Sequence, residues 1–144
     1  MAEVNAPAGM PDLGPAKDLL ERDERVRFAY LFGSRARGKA GPLSDTDIAV
    51  FLDPAENAFD YRLLLIERLS RALRSDRLDL VVLSDASPEL KFAVIKHGKV
   101  LKEDRSARVP FEARTISEYL DTQHFRNVQR EGFLARVSKV GFGR

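Results

Sequence analysis

Hydrophobic positions follow two different spacings along the chain, and each stretch of constant spacing predicts one element. Apolar residues are nearly continuous over 26–32, 47–52 and 78–83. Short runs of this kind, rich in β-branched and aromatic residues, favour buried strands. Over 59–73 the apolar residues recur every three or four positions instead, which indicates a helix that packs on a sheet. Strands that alternate with helices predict a layered α/β fold.

Prolines and glycines set the bounds of the other predicted elements, since proline suits the first turn of a helix and glycine suits its end. These elements are a helix over 15–23, a turn of helix over 34–39, a helix over 88–97, an edge strand over 100–102 and a mostly helical stretch over 111–139. The predicted parts of the chain are a flexible leader at 1–13, a core at 14–103 and a C-terminal helical segment with a tail at 104–144.

Composition removes several classes of function. The 144 residues suit one domain, and 44% hydrophobic with 32% charged residues is typical of a soluble protein. A net charge of +2 gives no strong field for a nucleic-acid polymer. The absence of cysteine excludes disulfides, thiolate zinc sites and cysteine nucleophiles, and the two histidines are too far apart in sequence to suggest a metal cluster. With no apolar signal segment and no membrane-length run, we expect a cytoplasmic protein.

Three aspartates carry the most direct chemical signal. Asp45 and Asp47 are two residues apart on a predicted strand, so their side chains share one face. Adjacent carboxylates repel each other unless a cation lies between them or one has a raised pKa, and oxygen ligands suit Mg²⁺ with its substrate phosphates. Asp79 interrupts the apolar run 78–83, where burial of an unpaired carboxylate is costly. A metal site shared with Asp45 and Asp47 removes that conflict if the two strands are neighbours.

A small-residue turn, Gly33-Ser34, precedes Asp45 by ten intervening residues. Gly33 permits a positive φ and close approach of a ligand, and Ser34 is suited to cap the next helical turn and bind a phosphate there. Each feature also has a purely structural interpretation: a capped turn, a turn residue at Asp45, a strand-edge charge at Asp47 and a solvated strand start at Asp79. The combination at fixed spacing favours function over those alternatives.

The segment Leu-Phe-Gly-Ser-Arg-Ala-Arg-Gly from Leu31, followed by Ser-Asp-Thr-Asp-Ile-Ala-Val from Ser44, resembles the nucleotidyltransferase superfamily related to DNA polymerase β. It is most similar to the minimal nucleotidyltransferase (MNT) branch, and the resemblance extends over residues 15–102. Asp79, in Leu-Asp-Leu-Val-Val-Leu, matches the third carboxylate of that family. The resemblance implies the nucleotidyltransferase fold: a small mixed β-sheet with helices packed on it and a C-terminal helix.

The same resemblance implies a metal-assisted transfer of AMP from ATP to a hydroxyl. Asp45 and Asp47 would bind two Mg²⁺ ions with the triphosphate, and Asp79 would help one metal lower the pKa of the acceptor hydroxyl. Gly33 and Ser34 would hold the β- and γ-phosphates. Arg35, Arg37 and Lys39 are candidate phosphate partners, and exposed cations without such a role are the alternative.

Small members of this family are often antitoxins that transfer AMP to a tyrosine of a cognate HEPN ribonuclease toxin, which is the partner that the resemblance implies. One alternative is adenylylation of a small molecule such as an aminoglycoside, and another is a non-catalytic toxin-binding module. The C-terminal segment is apolar enough to leave room for a partner surface. The residues concerned are Ile116, Tyr119, Leu120, Phe125, Val128, Phe133, Leu134 and Val137.

Overall fold

A computed structural model describes residues 12–38 and 45–139, with side chains as far as Arg136. Within these residues, four strands form one sheet and five α-helices accompany it. The strands are β1 (Val26–Phe32), β2 (Thr46–Leu52), β3 (Leu78–Val82) and β4 (Lys99–Lys102). The helices are α1 (Gly14–Arg22), α2 (Gly33–Ala36), α3 (Ala58–Leu73), α4 (Pro88–His97) and α5 (Arg105–Lys139). None of these helices is long and apolar enough to cross a membrane.

The sheet is mixed, in the order β3-β2-β1-β4. The central pair β1 and β2 is antiparallel, β4 is antiparallel to β1, and β3 is parallel to β2. A parallel neighbour needs a crossover, and α3 supplies it between β2 and β3. This arrangement confirms the predicted layered fold, and it leaves β3 at one edge of the sheet.

Apolar side chains form a core on each face of the sheet. On one face, Leu20 of α1 and Leu65 and Leu69 of α3 pack against alternate residues of the strands. On the other face, Val94 of α4 and Phe111 of α5 pack against the aromatic rings of β1. Because alternate residues of a strand point to opposite faces, the nearly continuous apolar runs in the sequence reflect strands covered on both sides.

A polar network holds the first half of α5 on the sheet. The buried Tyr30 hydroxyl donates a hydrogen bond of 2.5 Å to Glu112, and Arg108 bridges Glu112 and Glu103 at 2.8 and 2.6 Å. Burial and the Glu112 carboxylate raise the pKa of Tyr30 well above its ordinary value, so its hydroxyl remains protonated. This part of α5 is therefore part of the domain.

The second half of α5 extends away from the domain. Tyr119 stacks on Phe92 with the ring centroids 3.9 Å apart, and Arg126 forms an ion pair with Glu89 at 3.1 Å. From residue 127 to residue 136 every side chain is exposed. The helix continues to Lys139, so 127–139 forms a projection about 20 Å long, which we call the α5 projection.

The predicted elements agree with the structure to within one residue at each end, with two exceptions. The turn of helix predicted over 34–39 is shorter, because α2 ends at Ala36 and Gly38 has a positive φ. We placed the start of the last helix at 111, and this boundary is wrong because α5 begins at Arg105 and contains Pro110.

The main-chain carbonyl of Asp104 explains the earlier start of α5, since it accepts hydrogen bonds from the amides of Ala107 and Arg108. The leader predicted at 1–13 and the loop at 41–42 fall largely outside the described residues. Leu13, at the end of the predicted leader, packs partly on the core.

Candidate active site

The site begins where β1 ends, at a glycine that the backbone requires. Gly33 has a φ of +72°, a left-handed conformation that residues with a side chain rarely adopt. A Cβ atom at this position would lie 2.1 Å from Oδ2 of Asp47, far inside contact distance. Phe32 pairs with Asp47 in the antiparallel register of β1 and β2. The glycine is therefore the reason that the Asp47 carboxylate can lie directly against the turn.

Ser34 does not have the capping role that the sequence suggested. Residue Phe32 occupies the N-cap position of α2, and Ser34 is the second residue of that helix. The prediction of a Ser34 cap is therefore wrong, because α2 starts one residue earlier than expected. Ser34 is half-buried next to Gly33, which leaves it at the turn where we expected a phosphate.

The register of β2 and β3 brings two of the three carboxylates together. Asp47 and Asp79 are direct partners in the parallel pairing. Asp45 comes immediately before β2, and the intervening Thr46 is buried on the opposite side, as strand alternation requires. The shared site required β2 and β3 to be neighbours, and the structure meets that condition.

Electrostatics shows that the three carboxylates act on one another. The pKa of Asp47 is raised above its ordinary value, first by partial burial and then by the charges of Asp79 and Asp45. The positive charge of Arg35 acts in the opposite direction. A raised pKa is one of the two ways in which such a cluster of carboxylates persists. The cluster therefore has a negative potential that attracts cations.

Asp79 is exposed, although the sequence predicted a buried carboxylate. We expected this side chain to lie within an apolar run and to need a partner for that reason, and this expectation is wrong. The residues that are buried in β3 are Leu80 and Val82, while Asp79 lies near the start of the strand with its side chain in solvent. Its place in the site depends on register and not on a burial penalty.

The predicted cationic residues differ in their environment. Arg35 is half-buried in α2 and influences Asp47, whereas Arg37 is exposed just after that helix. Lys39 lies outside the described residues. Arg35 is therefore better placed than Arg37 to act near the carboxylates.

Comparison with known proteins decides the family. Residues 16–107 match the family described as polymerase beta nucleotidyltransferase. The chain belongs to this family. The match covers most of the chain and includes all three aspartates, Gly33 and Ser34, so the predicted family and the predicted enzyme class are confirmed.

Relatives of this nucleotidyltransferase place it in the minimal branch. The protein adenylyltransferase MntA of Shewanella oneidensis is 33% identical over 123 residues, which are 85% of this chain and 86% of that protein. A crystal structure of a toxin-antitoxin with AMP-PNP is 33% identical, covers 85% of this chain and 99% of the matched chain, and has a TM-score of 0.71. A complex of tri-AMPylated Shewanella oneidensis HEPN toxin with MNT antitoxin is 30% identical, covers 82% and 98%, and has a TM-score of 0.61.

The ligand chemistry of this nucleotidyltransferase site fits a hard divalent cation. All three candidate ligands are carboxylates, and Mg²⁺ is usually held by one or two carboxylates together with phosphates and waters. In the described residues no set of three or more His, Cys, Asp or Glu side chains converges into a complete cage. An all-protein cage is not needed, since the Asp45 and Asp47 pair provides the number of protein ligands that Mg²⁺ commonly uses.

A cleft beside Asp79 has no counterpart in the sequence predictions. It has a volume of about 330 Å³ and follows β3 from Asp79 past Val82 to the start of α4, with Arg62 of α3 on its wall. A larger cavity of about 730 Å³ lies between α1 and α3, near the start of β1 and away from the carboxylates. The family motifs mark only the metal and phosphate residues, so nothing in the sequence indicated that Arg62 lies near Asp79.

Proposed function

We propose that this protein is a protein adenylyltransferase that transfers AMP from ATP to a tyrosine hydroxyl of a cognate HEPN toxin. The observation that carries the proposal is the meeting of Gly33, Asp47 and Asp79 at one end of the sheet, where a glycine turn lies against a carboxylate cluster. Relatives that include a protein adenylyltransferase and the MNT antitoxin of a tri-AMPylated toxin support the choice of acceptor.

In this proposal Asp45 and Asp47 hold Mg²⁺, and the turn holds the triphosphate. Gly33 leaves space for the β- and γ-phosphates beside the main chain, and Ser34 offers its hydroxyl to them. Arg35 provides a positive charge near the same place, and Arg37 is a second candidate from the rim. Mg²⁺, when bound, neutralises the developing charge on the phosphates and lowers the pKa of the acceptor hydroxyl.

Asp79 is proposed to act on the acceptor. Its carboxylate would help to hold one Mg²⁺ ion, which lowers the pKa of the acceptor hydroxyl. The same carboxylate orients that hydroxyl in line with the α-phosphorus and accepts the proton as the oxygen attacks. One bond forms, from the hydroxyl oxygen to the α-phosphorus, and one breaks, from the α-phosphorus to the oxygen that bridges to the β-phosphorus. Pyrophosphate leaves, and AMP remains on the acceptor as a phosphodiester. Since the donor is ATP and the acceptor is an intracellular toxin, we place the reaction in the cytoplasm.

Labelled ATP tests this proposal directly. The protein is incubated with Mg²⁺, ATP labelled at the α-phosphate and the product of the adjacent gene, which we expect to be the cognate HEPN protein. We expect label on the HEPN protein. Label that appears only on added aminoglycosides would instead support the small-molecule alternative and overturn the protein acceptor.

Replacement of Asp45 and Asp47 tests the metal assignment, with a surface aspartate as the matched control. We expect Asp45→Asn with Asp47→Asn to reduce transfer by more than about 100-fold, because a neutral amide is a poor ligand for Mg²⁺. Asp18→Asn, on the exposed surface of α1, should leave transfer unchanged. Transfer that survives the double change would show that the metal assignment is wrong. Protection of cells by the double variant without transfer would support the non-catalytic binding alternative.

A further inference from the structure

We propose that the cleft along β3 holds an extended segment of the protein acceptor and leads its hydroxyl to Asp79. This inference rests on the proposed function and adds to it the place and the backbone conformation of the acceptor. The cleft is lined by Arg62, Asp79, Leu80, Val81, Val82, Asp85, Ala86, Ser87 and Leu90.

Asp79 belongs both to the carboxylate cluster and to this cleft. It pairs with Asp47 on one side, and on the other side it forms one end of the cavity. The lining follows the four residues from Asp79 to Val82, which is about 13 Å of strand. A chain that lies in the cleft therefore passes the carboxylate that is proposed to take the proton.

The cleft follows an edge of the sheet that no strand covers among the described residues. The carbonyl of Arg77 accepts from the amide of Thr46 in β2 at 2.9 Å, so odd-numbered residues of β3 direct their main-chain groups inwards. The even-numbered residues Leu80 and Val82 direct theirs to the cleft. Such an edge pairs with an added extended chain, as in other peptide-binding proteins.

Arg62 of α3 binds the main chain at this edge of the sheet. Its Nε donates to the carbonyl of Leu80 at 2.8 Å, which occupies one acceptor of the edge and keeps the guanidinium in the cleft. The two terminal nitrogens of the guanidinium remain as donors for an incoming main-chain carbonyl or carboxylate. Arg62 is therefore proposed to set the register in which the acceptor segment lies along β3.

Exposed aromatic side chains on the second half of α5 favour a protein as the occupant of the cleft. Glu89, which forms an ion pair with Arg126 at the base of the projection, is adjacent in sequence to the cleft residue Leu90. Phe125, just before the α5 projection, and Phe133, within it, are 70% and 58% exposed, although aromatic side chains of this size are usually covered. A protein that covers these rings is positioned to extend a segment into the cleft, whereas a small molecule uses no such surface.

The first test fills the cleft. Ala86→Arg places a long side chain in it, and Ala93→Arg adds the same side chain to an exposed position of α4 that does not line the cleft. We expect Ala86→Arg to lower kcat/KM for the HEPN acceptor at least about 10-fold, with the affinity for Mg²⁺ and ATP measured by calorimetry unchanged. Ala93→Arg should retain both values. Thermal unfolding of each variant shows whether it is folded.

The second test uses the absence of cysteine in the chain. Ala86→Cys and Ala93→Cys each introduce a unique thiol. This thiol is then labelled with a benzophenone photocrosslinker. We expect crosslinking from position 86 to acceptor residues that flank the AMPylated hydroxyl, and none of these from position 93. Normal kinetics of Ala86→Arg together with equal crosslinking at both positions would overturn the cleft and leave the proposed function standing. No transfer by the unaltered protein would overturn both.

Discussion

Gly33 is the residue at which the backbone conformation and the chemistry of the site are most closely linked. Its φ of +72° and the 2.1 Å that would separate a Cβ atom from Oδ2 of Asp47 both oppose any side chain. We expect Gly33→Ala to cost about 1–2 kcal/mol of stability from the left-handed backbone and to displace the Asp47 carboxylate. AMP transfer should fall to background.

Gly38 provides a control for the backbone effect alone. It has a φ of +70°, but a Cβ atom there meets nothing within 4 Å. Gly38→Ala should therefore lose a similar amount of stability in denaturant titration and retain transfer. Equal loss of transfer in the two variants would show that the contact with Asp47 is not what makes Gly33 necessary.

Replacement of Asp47 should raise stability and remove activity. Its pKa is raised in the folded state, so the folded protein binds the proton more tightly than the unfolded chain does. The stability that this carboxyl contributes is present below its ordinary pKa and is lost as the pH rises through the folded-state pKa. At pH 7 the ionised group destabilises the fold.

We therefore expect Asp47→Asn to raise Tm at pH 7 while it removes transfer. The gain in Tm should shrink as the pH falls, because protonated aspartate and asparagine are both neutral. Thermal unfolding from pH 7 to pH 4, with Asp18→Asn as the control, measures this difference. A variant that is less stable than the parent at pH 7 would contradict the assignment of mutual repulsion.

At the residue level, the sequence identified the site residues well but predicted their burial and their positions within elements less well. Asp45, Asp47 and Gly33 lie where the motif predicts, because strand alternation and a glycine turn are local properties. The exposure of Asp79 and the position of Ser34 inside α2 depend on the ends of elements, which local patterns define poorly.

At the level of elements, the bounds of β1 and α4 were predicted to the residue. Their signals are strong: a β-branched and aromatic run that ends at glycine, and a helix between proline and glycine. The start of α5 was missed, because the predicted helix began at 111 and the observed one begins six residues earlier and includes Pro110. Asp104 was the better signal, since aspartate favours the position just before a helix and its carbonyl receives the first bonds of α5.

Removal of the α5 projection should separate its role in stability from its role in binding. A chain that ends at Arg126 keeps the stack of Tyr119 on Phe92 and the ion pair with Glu89. Its free energy of unfolding should stay within about 0.5 kcal/mol of that of the full chain, because the side chains described beyond Arg126 are exposed. Its affinity for the HEPN acceptor, measured by calorimetry, should fall at least about 10-fold. Unchanged affinity would show that the partner does not use the projection.

At the level of the whole molecule, the fold and the catalytic half of the site follow from the sequence, and the acceptor half does not. The motif residues Gly33 and Asp47 lie close together in the sequence, at the end of β1 and the start of β2. Asp79 reaches the same site through a single parallel pairing, that of β3 with β2. Arg62 of α3 and Ala86, just before α4, line the same cleft although they are 24 residues apart in the sequence. No local sequence pattern relates two residues that are so far apart, so the cleft could not be predicted from the sequence.

Transfer of AMP to a protein partner can be measured by intact mass spectrometry of that partner. The cognate HEPN protein is incubated with ATP, Mg²⁺ and either the parent protein or the Asp45→Asn, Asp47→Asn variant, and the modified residue is then mapped. We predict a mass increase of one or more AMP units on a tyrosine with the parent and none with the variant. An unmodified HEPN protein after incubation with the folded parent would show that this protein does not AMPylate the toxin, and equal modification by the variant would show that Asp45 and Asp47 are not needed for transfer.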